Sequence, residues 1–268
     1  MPISVSIIIP ARFSSTRFEG KPLAPLKGFS GVPRSLIQRS WETAKQVEGV
    51  DRVYVATDDN RIADHAAGFG AQVVMTSPDC RNGTERVAEA VQKLGLSDEI
   101  IVNLQGDAPL TPPWFLTSLI QEMQQDPSVK MATPVLRCDG ATLSKFQDDR
   151  AHGRVGGTTA VFNTNMDALY FSKEVIPYIQ GRYEDGAQTP VFHHVGAYAY
   201  RPDMLSEYVR WGEGPLEDLE GLEQMRFLEN GTPVRCVEVN ARGQSFWELN
   251  NPIDVERIEA VLRERGTE

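Results

Sequence analysis

A loop rich in cations and hydroxyl groups follows the first apolar segment of the chain. That segment, Val5–Ile9, predicts a buried β-strand. The loop after it contains three cations and three hydroxyl groups, on Arg12, Arg17, Lys21, Ser14, Ser15 and Thr16. In an open α/β sheet, ligands bind at the carboxyl ends of the strands, and guanidinium and ammonium groups bind phosphate oxygens. The position after a buried strand therefore favours a phosphate-binding loop over a solvated basic loop.

Two common phosphate-binding loops are excluded by the residues themselves. Gly20-Lys21 is followed by Pro22 instead of Ser or Thr, and the earlier glycine of a P-loop is missing. No G-x-G-x-x-G pattern follows a predicted strand. The sequence thus supports neither a P-loop kinase nor a dinucleotide-dependent oxidoreductase.

A carboxylate lies at the end of a second apolar strand. Ile100–Leu104 runs directly into Gln105, Gly106 and Asp107. A carboxylate at the carboxyl end of a strand, beside a phosphate-binding loop, is suited to holding Mg²⁺ on the phosphates of a nucleotide. A lone Asp107 would more simply cap the turn before Pro109. Its pairing with the cationic loop favours metal binding.

Strands and helices alternate through the first half of the chain. Strands are predicted at Val5–Ile9, Val53–Ala56, Val73–Met75 and Ile100–Leu104. Helices are predicted at about Ser35–Val47, at Asn60–Ala67 and at Thr84–Leu94. This order is typical of βαβ units and of a parallel sheet covered on both faces. We therefore expect an α/β fold with a doubly wound, mostly parallel central sheet.

The second half of the chain has a different pattern. After a helix at Pro113–Gln125 and a strand at Met131–Leu136, short strands are predicted at Thr158–Phe162, Ala168–Phe171 and Val195–Tyr200. They indicate an inserted, partly antiparallel subregion at about residues 150–195 of a single domain, 1–268. The last predicted elements are a helix at about Leu216–Glu229, a strand at Val234–Val239 and a helix that follows Asn251-Pro252.

Composition narrows the function further. The 268 residues carry a net charge of −10, which argues against non-specific nucleic-acid binding. Residues 1–50 are nevertheless basic, so an anionic ligand is expected there. The three cysteines form no CxxC pair, and no apolar run is long enough to span a membrane. Without a signal-peptide pattern, a cytoplasmic protein that does not insert into membranes is expected.

Eight motifs in one order link the chain to a known family. They are Pro10–Leu23, Ala56–Asp59, Gly83–Arg86, Leu104–Pro109, Ala168–Ser172, Ile176–Tyr178, His194–Arg201 and Gly221–Arg226. Together they span nearly the whole chain, and their combination resembles the 3-deoxy-manno-octulosonate (Kdo) cytidylyltransferases, or CMP-Kdo synthetases. The resemblance implies a fold like that of nucleotide-diphospho-sugar transferases, with a homodimer formed through the inserted subregion.

The same resemblance implies a reaction and its partners. CMP would pass from CTP to the anomeric hydroxyl of Kdo, with Mg²⁺ as cofactor and pyrophosphate as the other product, in the synthesis of surface polysaccharide or lipopolysaccharide. In-line attack at phosphorus needs positioning and charge neutralisation more than a covalent nucleophile. The cationic loop and the carboxylate predicted from the residues alone fit this requirement.

The resemblance also assigns roles to individual residues. The catalytic residues would be Arg12, Arg17, Lys21 and Asp107. The nucleotide would be bound by Pro10, Ala11, Arg12, Ser15, Arg17, Lys21, Arg86 and Gln105, and the sugar acid by His194, Tyr198, Glu223 and Gln224. Taken without the resemblance, the last four residues are equally consistent with core packing or a solvated helix face.

The sequence departs from the family at its second metal carboxylate. The family has an Asp where this chain has Asn250, which is assigned as a metal ligand together with Asp107. An amide oxygen is neutral and binds Mg²⁺ more weakly than a carboxylate. Nearby Asp254 is interpreted as part of a helix start, with Asn251 as N-cap and Pro252 as the first helical residue.

Two further departures keep alternative functions open. The segment 154–162 and the loop 183–189 differ from the family pattern. A cytidylyltransferase with another acceptor, such as an amino-substituted Kdo, a nonulosonic acid or a phosphonate, is therefore one alternative, and a transferase that uses a different nucleotide is another. The second hypothesis, motivated by Asn250, is a CTP-binding protein that has lost turnover.

Overall fold

A ten-stranded mixed sheet runs through the computed structural model, which describes residues 3–15, 18–244, 249 and 251–267. Its strands are β1 (Val5–Ala11), β4 (Arg52–Thr57), β5 (Gln72–Met75), β6 (Ile100–Leu104), β7 (Met131–Asp139), β8 (Thr159–Phe162), β9 (Ala168–Ser172), β10 (Gln188–His194), β11 (Ala197–Tyr200) and β12 (Arg235–Val239). Strands β2 (Pro25–Lys27) and β3 (Pro33–Ser35) form a separate antiparallel pair. The order in the large sheet is β5-β4-β1-β6-β11-β7-β10-β8-β9, with β12 also paired to β7.

The helices connect these strands in sequence. They are α1 (Leu36–Ala44), α2 (Asn60–Gly68), α3 (Gly83–Leu94), α4 (Pro113–Gln125), α5 (Gly140–Ala151), α6 (Pro202–Trp211), α7 (Pro215–Glu220), α8 (Met225–Glu229) and α9 (Asp254–Glu264). Side-chain oxygens of Asp59 and Asn82 cap the first turns of α2 and α3, and Gly95 ends α3 in a left-handed conformation. Among the helices that the structure describes, none is long and apolar enough to cross a membrane.

The parallel half of the sheet is covered on both faces. Strands β5, β4, β1 and β6 are parallel neighbours. Ile7 and Ile9 of β1 pack in the cluster that includes residues of α1, α2 and α4, whereas Ile8 packs in the cluster that includes α3 and α6. Because a strand alternates its side chains between the two faces, this fully apolar strand buries both. The predicted doubly wound α/β fold is confirmed.

The other half of the sheet is mixed in direction. From the pairings, β7, β8 and β12 point the same way as β1, while β9, β10 and β11 point the opposite way. The sheet is thus mostly parallel in direction, as predicted, and the antiparallel strands β8, β9 and β10 lie within the predicted insertion. The assignment of residues 1–268 to a single domain stays a prediction.

The predicted helix at 216–229 is wrong as one element. Gly221, with φ +59°, ends α7, and α8 begins only at Met225. A glycine adopts this left-handed conformation without the steric cost of a Cβ, so the helix stops there. The short turn between α7 and α8 carries Glu223 and Gln224, which were predicted to lie on a helix.

Other elements were absent from the prediction. Helix α5 has few apolar positions, and only Leu143 and Phe146 of its large side chains are buried, so its periodicity is weak. Strand β10 contains Pro190 and begins inside the segment interpreted as a loop. The predicted strand at Val195–Tyr200 is shorter, because the chain turns at Gly196 before β11 begins.

The C-terminal segment returns to the carboxyl edge of the sheet. Ile258 and Leu262 of α9 pack in one apolar cluster with Leu26, on β2. The N–H of Leu249 donates to the carbonyl oxygen of Asp107 at 2.8 Å. The predicted cap of this last helix is wrong, because α9 begins at Asp254, whose carboxylate accepts the N–H of Asn251 at 2.7 Å. An Asp in the first turn can satisfy such an N–H from inside the helix.

We expect Ile258→Ala to lower the free energy of unfolding by about 2–5 kcal/mol, because it leaves a cavity between α9 and the β2 region. Ile253→Ala is the matched control. Ile258 is 0% exposed and Ile253 is 65% exposed, so the control should stay within about 0.5 kcal/mol of the parent. Denaturant titration measures both values. Equal effects of the two changes would contradict this packing of α9.

Candidate functional site

A cleft of about 1930 Å³ opens at the carboxyl ends of β1 and β6. Every predicted site residue that the structure describes lines it: Pro10, Ala11, Arg12, Ser15, Lys21, Arg86, Gln105, Asp107, His194, Tyr198, Glu223 and Gln224. The predicted residues Arg17 and Asn250 lie outside the described residues. The structure therefore brings together side chains from both halves of the chain.

The two ends of the cationic loop are held together. The N–H of Gly20 donates to the carbonyl oxygen of Phe13 at 2.9 Å. Arg12 precedes this pair and Lys21 follows it, so the two cations emerge from neighbouring points of the backbone. Gly20 has φ +66°, a conformation that glycine adopts readily. The loop thus delivers two cations to the same end of the cleft.

Lys21 forms an ion pair with Asp107 across the two loops. Its Nζ lies 2.8 Å from Oδ2 of Asp107, and the side chains are 15% and 30% exposed. The loops approach closely because residue 106 is glycine: a Cβ there would lie 2.8 Å from the carbonyl oxygen of Pro10. The cation and the carboxylate thus neutralise one another in this ion pair.

The donor set around Asp107 fits a divalent cation that arrives with phosphates. Within the described ranges, no group of three or more His, Cys, Asp or Glu side chains could hold a metal ion. Mg²⁺ is commonly held by one or two carboxylates, with water and substrate phosphates completing its shell. Asp107 provides such a carboxylate in the same cleft as the cations of Arg12 and Lys21.

Gln105 connects this loop to the turn between α7 and α8. Its Nε2 donates to Oε1 of Glu223 at 2.7 Å, and the other oxygen of Glu223 accepts the N–H of Thr84 at 2.7 Å. Gln105 fits against the start of α3 because residue 83 is glycine. A Cβ on Gly83 would lie 2.5 Å from that same Nε2. Glu223 therefore joins the β6 loop to the first turn of α3.

The carboxyl group of Glu223 has an unusual protonation equilibrium. Burial raises its pKa to about 7, and the negative charges of Glu217 and Asp107 act in the same direction. The hydrogen bonds from Thr84 oppose this shift. Near neutral pH, Glu223 thus exists in both its acid and its carboxylate form.

Aromatic and amide groups form the other wall of the cleft. The hydroxyl of Tyr198 donates to Oε1 of Gln224 at 3.0 Å. Nε2 of Gln224 is buried and has no hydrogen-bond partner in the part of the chain that the structure describes. An unpaired buried donor is costly, so this amide is suited to binding a ligand oxygen.

Of the two adjacent histidines, His194 is buried and His193 is partly buried, and both are neutral near pH 7. Desolvation lowers the pKa of His193 to about 4 and that of His194 to about 3, where the neighbouring His193 adds to the effect. Nε2 of His194 lies 2.8 Å from Oγ1 of Thr133. His194 can therefore present a neutral hydrogen-bonding ring to a ligand, but it is not protonated near pH 7.

Arg86 lines the cleft with its guanidinium already engaged. It pairs with Asp58 at 3.1 Å and donates to Oγ1 of Thr76 at 2.6 Å and to the carbonyl oxygen of Ser77 at 3.2 Å. Its side chain is only 3% exposed. The role of Arg86 in holding the nucleoside stays a prediction. Because its guanidinium is already engaged, its contacts favour a role in supporting the wall of the cleft.

Lys173 was not among the predicted site residues, but it lies in the same cleft. Its Nζ is 2.7 Å from where a Cβ on Gly221 would lie, at the beginning of the α7–α8 turn. It is partly buried and has no ion-pair partner among the described residues. No local pattern identifies it, because only the packing of β9 against α7 brings it to the site. The one available signal was its position directly after the Ala168–Ser172 motif.

A buried ion network, also absent from the prediction, supports that turn. Arg226 is fully buried and pairs with Glu217 at 2.6 Å and with Glu85 at 3.1 Å. Asn82, the cap of α3, donates to the hydroxyl of Tyr208 at 2.7 Å. These contacts fix α7 and α8 to the beginning of α3, and so fix the position of Glu223.

Comparisons with known proteins agree with this geometry. A family model described as cytidylyltransferase matches residues 6–239. The chain is 47% identical over 264 residues to the 3-deoxy-manno-octulosonate cytidylyltransferase of Maricaulis maris, covering 98% of this chain and 99% of the relative. It is 40% identical over 262 residues to the 8-amino-3,8-dideoxy-manno-octulosonate cytidylyltransferase of Shewanella sediminis, covering 97% and 99%. The solved structure of a CMP:2-keto-3-deoxy-manno-octonic acid synthetase complexed with CTP superimposes with a TM-score of 0.82 at 34% identity, over 98% of this chain and 99% of that one.

We expect Gly83→Ala to weaken binding of CTP, the ligand of the related solved structure, by roughly 10- to 100-fold, because the new methyl group displaces Gln105 from its hydrogen-bond partner Glu223. Calorimetric titration with CTP measures the change. Gly68→Ala is the control, since a Cβ there meets nothing within 4 Å, and it should bind CTP normally. Normal binding by Gly83→Ala would show that the contact between Gln105 and Glu223 has no role in the site.

We expect Glu223 to make folding stability depend on pH in a defined window. Its pKa is raised in the folded protein to about 7 from an ordinary value of 4.5, so the folded chain holds this proton more tightly than the unfolded chain. The stability of the parent relative to Glu223→Gln should therefore fall as the pH rises from 4.5 to 7, by roughly 3 kcal/mol at most, and level off above 7. Denaturant unfolding of both proteins at pH 5, 6, 7 and 8 measures the difference. A difference that is the same at all four pH values would refute the shift.

Proposed function

Because the chain belongs to the 3-deoxy-manno-octulosonate cytidylyltransferase family, we propose that it transfers CMP from CTP to the anomeric hydroxyl of Kdo and releases pyrophosphate. The observation that carries the proposal is the meeting of Lys21 and Asp107 at the end of a cleft whose other wall is formed by Tyr198 and Gln224. A phosphate-binding end and a hydroxyl-binding end thus share one cavity, as transfer between two substrates requires.

The nucleotide end is built from the cationic loop. Arg12, Lys21 and, by the family resemblance, Arg17 bind the triphosphate and neutralise the charge that develops as pyrophosphate leaves. Ser15 adds a hydroxyl donor. The backbone at Pro10 and Ala11 and the side chains of Gln105 and Arg86 form the nucleoside side.

Mg²⁺ is the proposed cofactor, with Asp107 as its carboxylate ligand and Asn250 as an amide ligand. When bound, the ion withdraws charge from the phosphate oxygens. Lys21 exchanges its partner as the nucleotide arrives, because its ammonium group leaves Asp107 for a phosphate. Asp107 is then available to the metal ion.

The acceptor end is built from both halves of the chain. His194 and Tyr198 provide neutral hydrogen-bonding groups, and Gln224 provides its unpaired amide donor. Glu223 accepts hydrogen bonds from sugar hydroxyls with the lone pairs that Gln105 and Thr84 leave. Lys173 is a suitable counter-ion for the carboxylate of a sugar acid, since it has no ion pair within the described residues.

A second copy of the chain is the proposed protein partner. β9 is the last strand in the sheet order and pairs only with β8 among the described strands. Leu169 on this strand is 62% exposed, and nearby Tyr178 is 90% exposed. A sheet edge with exposed apolar side chains favours association, so we propose a homodimer through the β9 region. The CMP-Kdo made by this enzyme would be used in the synthesis of surface polysaccharide or lipopolysaccharide.

A second candidate acceptor is 8-amino-3,8-dideoxy-manno-octulosonate. The observation in its favour is the 40% identity, over nearly the full chain, to a relative named for that substrate. The two acceptors differ at the far end of the sugar from the anomeric hydroxyl. Both use the same cytidylyl chemistry, so only the acceptor end of the cleft distinguishes them.

We expect pyrophosphate release only with CTP among the four nucleoside triphosphates, in the presence of Mg²⁺ and one sugar acid. The assay compares Kdo, 8-amino-3,8-dideoxy-manno-octulosonate, a sialic acid and no acceptor. Release with Kdo supports the first proposal, and release with only the amino sugar supports the second. Binding of CTP without release in any mixture would instead indicate a binding protein and contradict both.

We expect Asp107→Asn to reduce turnover by roughly 10²- to 10³-fold, because one charged contact that stabilises the transition state is lost. Asp203→Asn is a suitable control, since Asp203 forms an exposed ion pair with Lys130 outside the cleft. Initial rates of pyrophosphate release at saturating CTP measure both variants. Turnover by Asp107→Asn within a few-fold of the parent would remove Asp107 from the catalytic residues.

A further inference from the structure

We propose that Asp59, Arg61 and Phe13 form a clamp that positions the two ends of the phosphate-binding loop, Arg12-Phe13 and Gly20-Lys21. The clamp sets the spacing of Arg12 and Lys21, and its members are positioning residues because they act through these cations. The inference rests on the proposed function, since the ligand of the loop is the triphosphate. It also gives a role to the Ala56–Asp59 motif, to which no step of the reaction assigns one.

The first part of the clamp is the contact between Phe13 and Gly20. Besides the backbone hydrogen bond that joins them, the Phe13 ring lies against the α-carbon side of Gly20. A Cβ on Gly20 would be 3.1 Å from two carbons of the ring. The ring therefore fixes the place where the loop closes, directly between the two cations.

The second part is the guanidinium of Arg61. Its Cζ lies 3.3 Å from the centroid of the Phe13 ring. A guanidinium at this distance from an aromatic ring is attracted by the ring electrons as well as by packing. The hydrogen bond with Asp59 is the main cause of the raised pKa of Arg61, and the negative charge of Glu19, at the end of the same loop, acts in the same direction. Arg61 thus contacts one end of the loop and is attracted to the other.

The third part is Asp59, which links Arg61 of α2 to the end of strand β4. Asp59 binds its guanidinium in a bidentate manner, with Nε at 2.9 Å and Nη2 at 2.7 Å, and also accepts its backbone N–H at 2.9 Å. These bonds lower the pKa of Asp59, so both partners are charged. The N–H of Asp59 donates to Oγ1 of buried Thr57, at the end of β4. Since Thr57 of β4 pairs with Ala11 of β1, the clamp joins the carboxyl ends of two adjacent strands.

Asp58, the other carboxylate of the Ala56–Asp59 motif, also forms an ion pair with an arginine. Asp58 holds Arg86 at 3.1 Å, whereas Asp59 holds Arg61. Two consecutive acids at the end of β4 therefore hold two arginines, Arg86 on α3 and Arg61 on α2, and the second of these lies against the phosphate loop. The Arg86–Asp58 pair is buried, whereas the side chain of Arg61 is 61% exposed. Exposed pairs of this kind contribute little to stability, so a positioning role explains the arrangement better.

The test is the binding of CTP and of inorganic tripolyphosphate, measured by calorimetry. Arg61→Ala should weaken both by about tenfold or more, because misplaced cations lose their alignment with the phosphates. Its melting temperature should stay within about 2 °C of the parent, and the KM for the acceptor should not change. Arg210→Ala is the matched control, an exposed arginine paired with Glu207 on α6 and outside the cleft.

Variants of Phe13 separate ring contact from general packing. Phe13→Tyr keeps the ring and should bind tripolyphosphate like the parent, whereas Phe13→Leu should bind it as weakly as Arg61→Ala. The double variant Phe13→Leu/Arg61→Ala should be no worse than either single change, because both act through one contact. Purely additive losses, or a loss that only accompanies a lower melting temperature, would overturn the clamp.

Failure of the clamp and failure of the proposed function give different results. If the parent and Arg61→Ala bind tripolyphosphate and CTP equally well, the clamp is wrong and the proposed function is untouched. If the parent binds CTP tightly and shows the expected clamp effects but releases no pyrophosphate with any acceptor, the proposed function is wrong and the clamp stands. A parent that binds neither ligand would overturn both.

Discussion

The parallel pairing of β1 with β6 is the constraint on which the site depends. Adjacent parallel strands end at the same edge of a sheet, so the loops after Ala11 and Leu104 must meet. They meet closely because Gly106 has no Cβ to strike the Pro10 carbonyl. The ion pair between Lys21 and Asp107 is the electrostatic result, because the close approach of the two loops brings a cation and a carboxylate together at this edge.

The remainder of the site is attached to that edge through α3. The first turn of this helix presents N–H groups that need acceptors, and Glu223 provides one. The buried charges of Arg226 and Glu217 are each costly to desolvate, but their mutual hydrogen bonds offset that cost and hold the α7–α8 turn in one place. The first turn of α3 and the side chain of Gln105 therefore both hold Glu223, and they connect the β6 loop to the α7–α8 turn.

Local sequence patterns were sufficient to predict the polar residues at the carboxyl ends of the parallel strands. Buried apolar runs identify these strands, and polar residues directly after them, such as Arg12 and Asp107, lie at one edge because the strands are parallel. The contacts of Lys173 and the break at Gly221 were not predictable in this way. The first depends on tertiary packing between distant segments, and the second on a single left-handed glycine inside a pattern that otherwise favours a helix.

The hydrogen bond from Leu249 to the carbonyl of Asp107 has a consequence for the order of folding. The strands of the parallel half of the sheet, β1, β4, β5 and β6, all lie within residues 5–104, so their pairings close shorter loops than the contact between Asp107 and Leu249 does. The hydrogen bond that holds the Asp107 loop comes from Leu249, far along the chain, and this contact can form only after the sheet has formed. Catalytic competence should accordingly be acquired in the last folding step, and local opening of this segment should expose the loop while the sheet stays intact.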